Sequence, residues 1–100
     1  LRHFAIICWD AANAAALRDT ALAAHFAHVE AILDKITIAG PLKDAAGNFT
    51  GSLLIVTAED ETGARAILEA DPYFTAGVWE RFEIHDFLPA AGEWIGGKIW

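Results

Sequence analysis

His3-Phe4-Ala5-Ile6-Ile7-Cys8-Trp9 is apolar at nearly every position, rich in strand-forming side chains, and stops at Asp10. A run this short reads as a strand, and one without a polar side belongs in the middle of a sheet covered on both faces. Beyond it, Ala14 to about Asp34 changes to Ala, Leu, Arg, His and Glu at helical spacing, with Asp10 and Asn13 as candidate N-caps. Lys35 to Ala39 reads as a second strand that ends at Gly40-Pro41. Asp44-Ala45-Ala46-Gly47-Asn48 then turns the chain into a third strand, Gly51-Ser52-Leu53-Leu54-Ile55-Val56-Thr57. Glu59-Asp60-Glu61 places three carboxylates where they complement the dipole of a second helix, which runs through Ala64, Ile67 and Leu68 to Ala70. Asp71-Pro72 closes that helix, because the residue before a proline avoids the α region. Val78 to Phe87 alternates as a last strand, closed by Leu88-Pro89.

The order βαββαβ is that of an α+β, ferredoxin-like fold, an antiparallel sheet with both helices packed on one face. Two helices cannot cover the second face, yet the first strand and Leu53 to Val56 are apolar on both sides. A second copy of the chain against the bare face resolves the conflict, so a homodimer is expected. Residues 1–88 read as the domain and 89–100 as a C-terminal tail, whose Trp94 and Trp100 are expected to dock on the dimer partner.

Composition narrows the function. With 100 residues, 55% of them apolar, the chain has material for one core and not for two. Seven basic against 14 acidic groups give a formal charge of −7 with no Lys/Arg cluster, which argues against nucleic acid and anionic membrane surfaces as partners. The single cysteine forms no intramolecular disulfide, and no apolar run approaches the roughly 20 residues of a membrane span. No secretory leader is visible, so a cytoplasmic location is expected. Small molecules and other proteins remain as partners.

On the long helix, at about 100° per residue, Ala15, Leu22, Phe26, Val29 and Leu33 share a narrow arc and read as the core stripe. Arg18 and His25 lie two turns apart on one flank of it, and His28 points to the opposite, solvated side. Arg18 and His25 are either ordinary boundary residues or groups looking into a cleft between helix and sheet. Asp71 is uncomfortable, since a carboxylate directly after a helix meets the negative end of its dipole at a cost of about 0.3–1 kcal/mol. It is either a solvated turn residue or the acceptor of a hydrogen bond from a group such as His25, whose tautomer it would fix for acid/base work. Tyr73, Phe74 and Trp79 flank Asp71 and are candidate pocket walls. Cys8 reads as a packed apolar residue. His25 and His28 have no third ligand at metal-site spacing, and no glycine-rich phosphate loop is present, so neither metal nor cofactor is expected.

His25-Phe26, Ala39-Gly40-Pro41-Leu42, Gly51-Ser52 and above all Asp71-Pro72-Tyr73-Phe74-Thr75-Ala76-Gly77-Val78 resemble the YciI-like (YCII-related) family, over about residues 3 to 87. The resemblance implies a dimeric ferredoxin-like α/β barrel. It implies that His25 and Asp71 form a catalytic His/Asp dyad, with Arg18 matching an arginine that often precedes the histidine. The stretch from His25 to Gly40 is shorter than the family form by about half a helical turn. A shifted alignment would put His28 in the histidine's place; the Ala24-His25-Phe26 context favours His25.

The family's chemistry implies a cofactor-free lyase or isomerase acting on a small cyclic hydroxylated substrate. One characterised relative is a dehydrochlorinase, and related barrels include muconolactone isomerase. In this reading His25 is the acid/base, Asp71 orients it, and Arg18, Ser52, Tyr73 and Phe74 contact the substrate. The alternative is a module that binds a small ligand or a protein without transforming it.

Overall fold

In the computed structural model, which describes residues 1–100, the chain forms β1 (Arg2–Asp10), α1 (Ala14–Ala31), a 3-10 turn (Leu33–Lys35), β2 (Ile36–Lys43) and β3 (Phe49–Ala58). It continues through α2 (Glu61–Glu69), α3 (Pro72–Ala76) and β4 (Trp79–Phe87). The last residues make a ribbon of β5 (Ala91–Gly92) and β6 (Gly97–Lys98) around a 3-10 turn, Glu93–Ile95. The main sheet has four strands in the order β2-β3-β1-β4, with every pairing antiparallel. This is the expected α+β, ferredoxin-like arrangement, with β1 and β3 in the centre.

Period-2 alternation sorts the sheet into two faces. Phe4, Ile6 and Cys8 of β1 and Leu54, Val56 and Ala58 of β3 are buried beneath the helices, joined by Ala64 and Leu68 of α2. Phe82 and Ile84 of β4 pair with Cys8 and Ile6 and pack on the same core. The opposite face carries Ala5, Ile7, Trp9, Leu53 and Ile55, which are only half-buried. Its β4 side is charged: Arg81, Glu83 and His85 stand opposite Trp9, Ile7 and Ala5, and the Arg81 guanidinium lies 3.6 Å from the centre of the Trp9 ring. The His85 hydrogen bond, 2.9 Å, is the main cause that holds the Glu83 carboxyl below its usual range.

Three sequence expectations are corrected. The second strand does not stop at Gly40-Pro41 but runs to Lys43. Being the edge strand, it is where a sheet tolerates a proline such as Pro41, which has no N–H to donate. Asp71-Pro72 ends α2 and also starts the short helix α3, with Asp71 as N-cap and Pro72 in the first turn. The carboxylate therefore meets the positive end of a new helix, which removes the discomfort inferred from sequence.

The third correction concerns α1. Leu22, Phe26 and Leu33, expected in the core, are 39%, 55% and 60% exposed. The face turned to the sheet is Ala14, Leu17, Arg18 and Ala21, followed by the half-buried His25, His28 and Ile32. The polar flank turns inward because Arg18 and His25 each find a buried carboxylate there.

Trp94 and Ile95, with Ile38, Leu53, Ile55 and Phe87, border a cavity of about 620 Å³.

Candidate active site

Asp71 caps α3 by accepting the backbone N–H of Tyr73 at 2.9 Å. The helix is closed one turn later by Gly77 at φ +81°, a left-handed conformation that glycine adopts without strain. Held this way, with its side chain 3% exposed, the carboxylate faces His25 of α1. Nδ1 of His25 lies 2.8 Å from Oδ1 and 3.0 Å from Oδ2. The Tyr73 ring stacks on the imidazole, with centroids 3.7 Å apart and planes 3° from parallel. The ring is thus fixed on one edge by a charge and on one face by an aromatic surface.

A carboxylate only accepts, so Nδ1 carries the proton and donates it to Asp71. The neutral tautomer then leaves the Nε2 lone pair free. Nε2 has no protein partner and is not a buried orphan, so it opens outward.

A second cluster supports the first. Arg18 donates from Nε and Nη2 to the two oxygens of Asp10, both at 3.0 Å, and again from Nη2 to Gly51 O and Ser52 Oγ. Its guanidinium lies 5.2 Å from the Phe49 ring and 5.3 Å from the Tyr73 ring. Ser52 Oγ also accepts from Trp79 Nε1 at 3.2 Å, and Trp79 meets Tyr73 edge to face. With both lone pairs taken, the Ser52 hydroxyl retains its own proton to donate. Burial is the leading cause that pushes the Tyr73 phenol up, with Arg18 opposing, so it stays protonated.

These groups line one end of a cavity of about 220 Å³ between α1, β2 and β3. Arg18, His25, Ser52, Asp71 and Tyr73 supply its polar side; Val29, Ile32, Ile36, Leu54 and Ile67 supply the apolar remainder. The structure therefore brings together five of the six residues given catalytic or substrate-contacting roles from sequence, and Trp79, a candidate pocket wall, joins them. Phe74 is the exception: it turns away and packs edge-on against Phe82, 5.8 Å between centroids. His28, expected on the solvated side, also lines the cavity. Asp10, read from sequence only as a helix cap, is the principal partner of Arg18, and the cap position of α1 falls to Asn13.

The chain has recognisable relatives in sequence and in fold. Residues 3–88 match the YCII-related domain. The chain is a member of the YCII-related family. It is 32% identical over 92 aligned positions to Protein YciI of Escherichia coli O6:H1, an alignment that covers 84% of this chain and 94% of the relative. Protein YciI of Shigella flexneri matches with the same figures. Among solved structures, the chain is similar to 5-chloro-2-hydroxyhydroquinone dehydrochlorinase (TftG) of Burkholderia phenoliruptrix, in complex with 2,5-dihydroxybenzoquinone. The TM-score is 0.79 at 28% identity, covering 91% of this chain and 96% of that one. The YciI-like fold expected from sequence is thus established. No helix is long and apolar enough to cross a membrane.

Cys8 lies beneath the site, fully buried. Burial first, then the carboxylates of Asp71 and Asp10, raise its thiol from 9.0 to about 12, against an opposing pull from Arg18. In this YCII-related chain Cys8 is expected to resist alkylation at pH 8 while folded and to react once urea exposes it; rapid labelling of the native protein would contradict its burial. The same shift sets a sign for stability. It contributes fully below pH 9, where both states keep the proton, and stability falls from there toward pH 12 as only the unfolded thiol ionises.

Proposed function

We propose that this protein is an acid/base enzyme, a lyase or isomerase, acting on a small hydroxylated ring. The observation that carries the reading is one imidazole with Nδ1 held by a buried carboxylate and Nε2 open on a mostly apolar cavity. A dry cavity of about 150 Å³ accepts benzene. One of about 220 Å³ has room for a ring with substituents. The TftG complex with a dihydroxylated six-membered ring supports the same size and chemistry.

In the proposed reaction Nε2 takes a proton from the bound ring and the freed electron pair forms a new double bond. A leaving group departs with its own bonding pair as that double bond forms, which is elimination, or an existing double bond gives up its pair to a second carbon, to which Nε2 returns the proton, which is isomerisation. Asp71 holds the imidazolium while it carries the extra proton. Arg18, through Nη1, and the Ser52 and Tyr73 hydroxyls contact the ring oxygens. Only groups of the chain take part.

We further propose that the functional unit is a homodimer in which the half-buried face of Ile7, Trp9, Leu53 and Ile55 meets its counterpart. Its partner would also cover the tail's Trp94 and Trp100, 78% and 76% exposed in the single chain. The proposed location is the cytoplasm.

Chlorinated hydroquinones and small lactones are the compounds to screen for turnover. His25→Ala is expected to lower kcat by about 10²–10⁴-fold while circular dichroism and sedimentation remain those of the wild type. Undiminished turnover in that variant would remove His25 from the chemistry. A protein that binds the ring equally well as His25→Gln and turns nothing over is a binding module, and a monomer by sedimentation removes the dimer.

A further inference from the structure

Arg18, His25, Ser52 and Tyr73 gather at the Asp71 end of the cavity. His28 does not. It lies one helical turn beyond His25 on the same inward face of α1, is half-buried, and lines the cavity where the other wall residues are Val29, Ile32, Ile36 and Ile67. Neither of its ring nitrogens has a hydrogen-bond partner in the protein, and neither is a buried orphan, so both are exposed to whatever fills the space beside them. An imidazole on an apolar wall with no protein partner forfeits hydrogen bonding unless water or a ligand supplies it.

The spacing gives that ligand a shape. Residues three apart on a helix have Cβ atoms about 5–6 Å apart, roughly the span of one aromatic ring with an oxygen on either end. His28, Ile32 and Ile67 are also shared with a second, more open cavity of about 410 Å³. The ring's far end therefore faces open space rather than a closed wall.

We infer that His28 is a specificity-determining residue that hydrogen-bonds a second oxygen of the substrate, on the ring carbon opposite the one served by His25. This rests on the ring-binding reading above and adds to it the substitution pattern: two oxygens across one ring, with tolerance for bulk beyond the second. His28 selects the ring and leaves the proton transfer to His25.

The test is binding of two probes, phenol with one hydroxyl and hydroquinone with two opposite each other, followed by NMR in the full chain. The wild type is expected to bind hydroquinone about fivefold more tightly than phenol, the worth of one net hydrogen bond. In His28→Leu the preference is expected to vanish with phenol affinity unchanged, and His28→Gln is expected to restore most of it. A preference that survives in His28→Leu, or no preference in the wild type, overturns the assignment while leaving the ring site intact. If neither probe moves the His25 ring signals, the ring-binding reading falls and this one with it.

Discussion

Arg18→Ala is expected to cost about 3–5 kcal/mol of folding stability, because it strands a buried carboxylate. Asp10 is 8% exposed at its side chain, and Arg18 meets it with two parallel hydrogen bonds while also serving Gly51 O and Ser52 Oγ. Alanine removes the guanidinium and leaves the Asp10 carboxylate in a low-dielectric surround with nothing to offset its desolvation. A double substitution distinguishes the pair from simple loss of packing. Arg18→Ala with Asp10→Ala is expected to be clearly less damaging than the sum of the singles, read from urea midpoints at a constant slope. Strict additivity would mean that the two side chains do not support each other.

The second large effect is expected at Gly51, where β3 passes β1. A Cβ built there falls onto the Cys8 carbonyl oxygen and also touches Leu42 Cδ1. The obstructing atom is backbone in the central strand, so no rotamer change relieves it. Gly51→Ala is expected to destabilise the fold by at least about 3 kcal/mol, at the upper end of overpacking penalties, and to widen the β1–β3 pairing next to Arg18. Near-wild-type thermal unfolding of that variant would show that the strands can separate at little cost. Gly51 also offers its carbonyl to Arg18, so the close approach of two backbones and the anchoring of the guanidinium depend on the same residue.

The element order was legible because each strand and helix carries its own local signal: the apolar run at Phe4 to Trp9, the carboxylates of Glu59-Asp60-Glu61 at a helix start, the alternation after Val78. The His25/Asp71 pairing was one of two open readings of the residues, since 46 residues separate the two and no spacing rule joins them, and the family resemblance favoured it. The orientation of α1 was not legible. Amphipathic reasoning turns the most apolar arc inward, and here polar side chains won that place because Asp10 and Asp71 arrive from other elements to satisfy them. The helix α3 was missed for a related reason. Asp-Pro is a stop for the helix before it and equally a start for the helix after it, and only the Asp71 cap on Tyr73 N–H decides for both.

The cavity divides its labour by residue type. The charged and hydrogen-bonding groups are tied to one another and to strand backbone, so changes among them threaten folding as well as chemistry. The aliphatic wall of Val29, Ile32, Ile36, Leu54 and Ile67 carries no such ties. Volume-conserving exchanges there usually cost less than about 1.5 kcal/mol. A lineage with this architecture can therefore drift toward new ring shapes by repainting the wall, while the proton-handling frame is inherited unchanged.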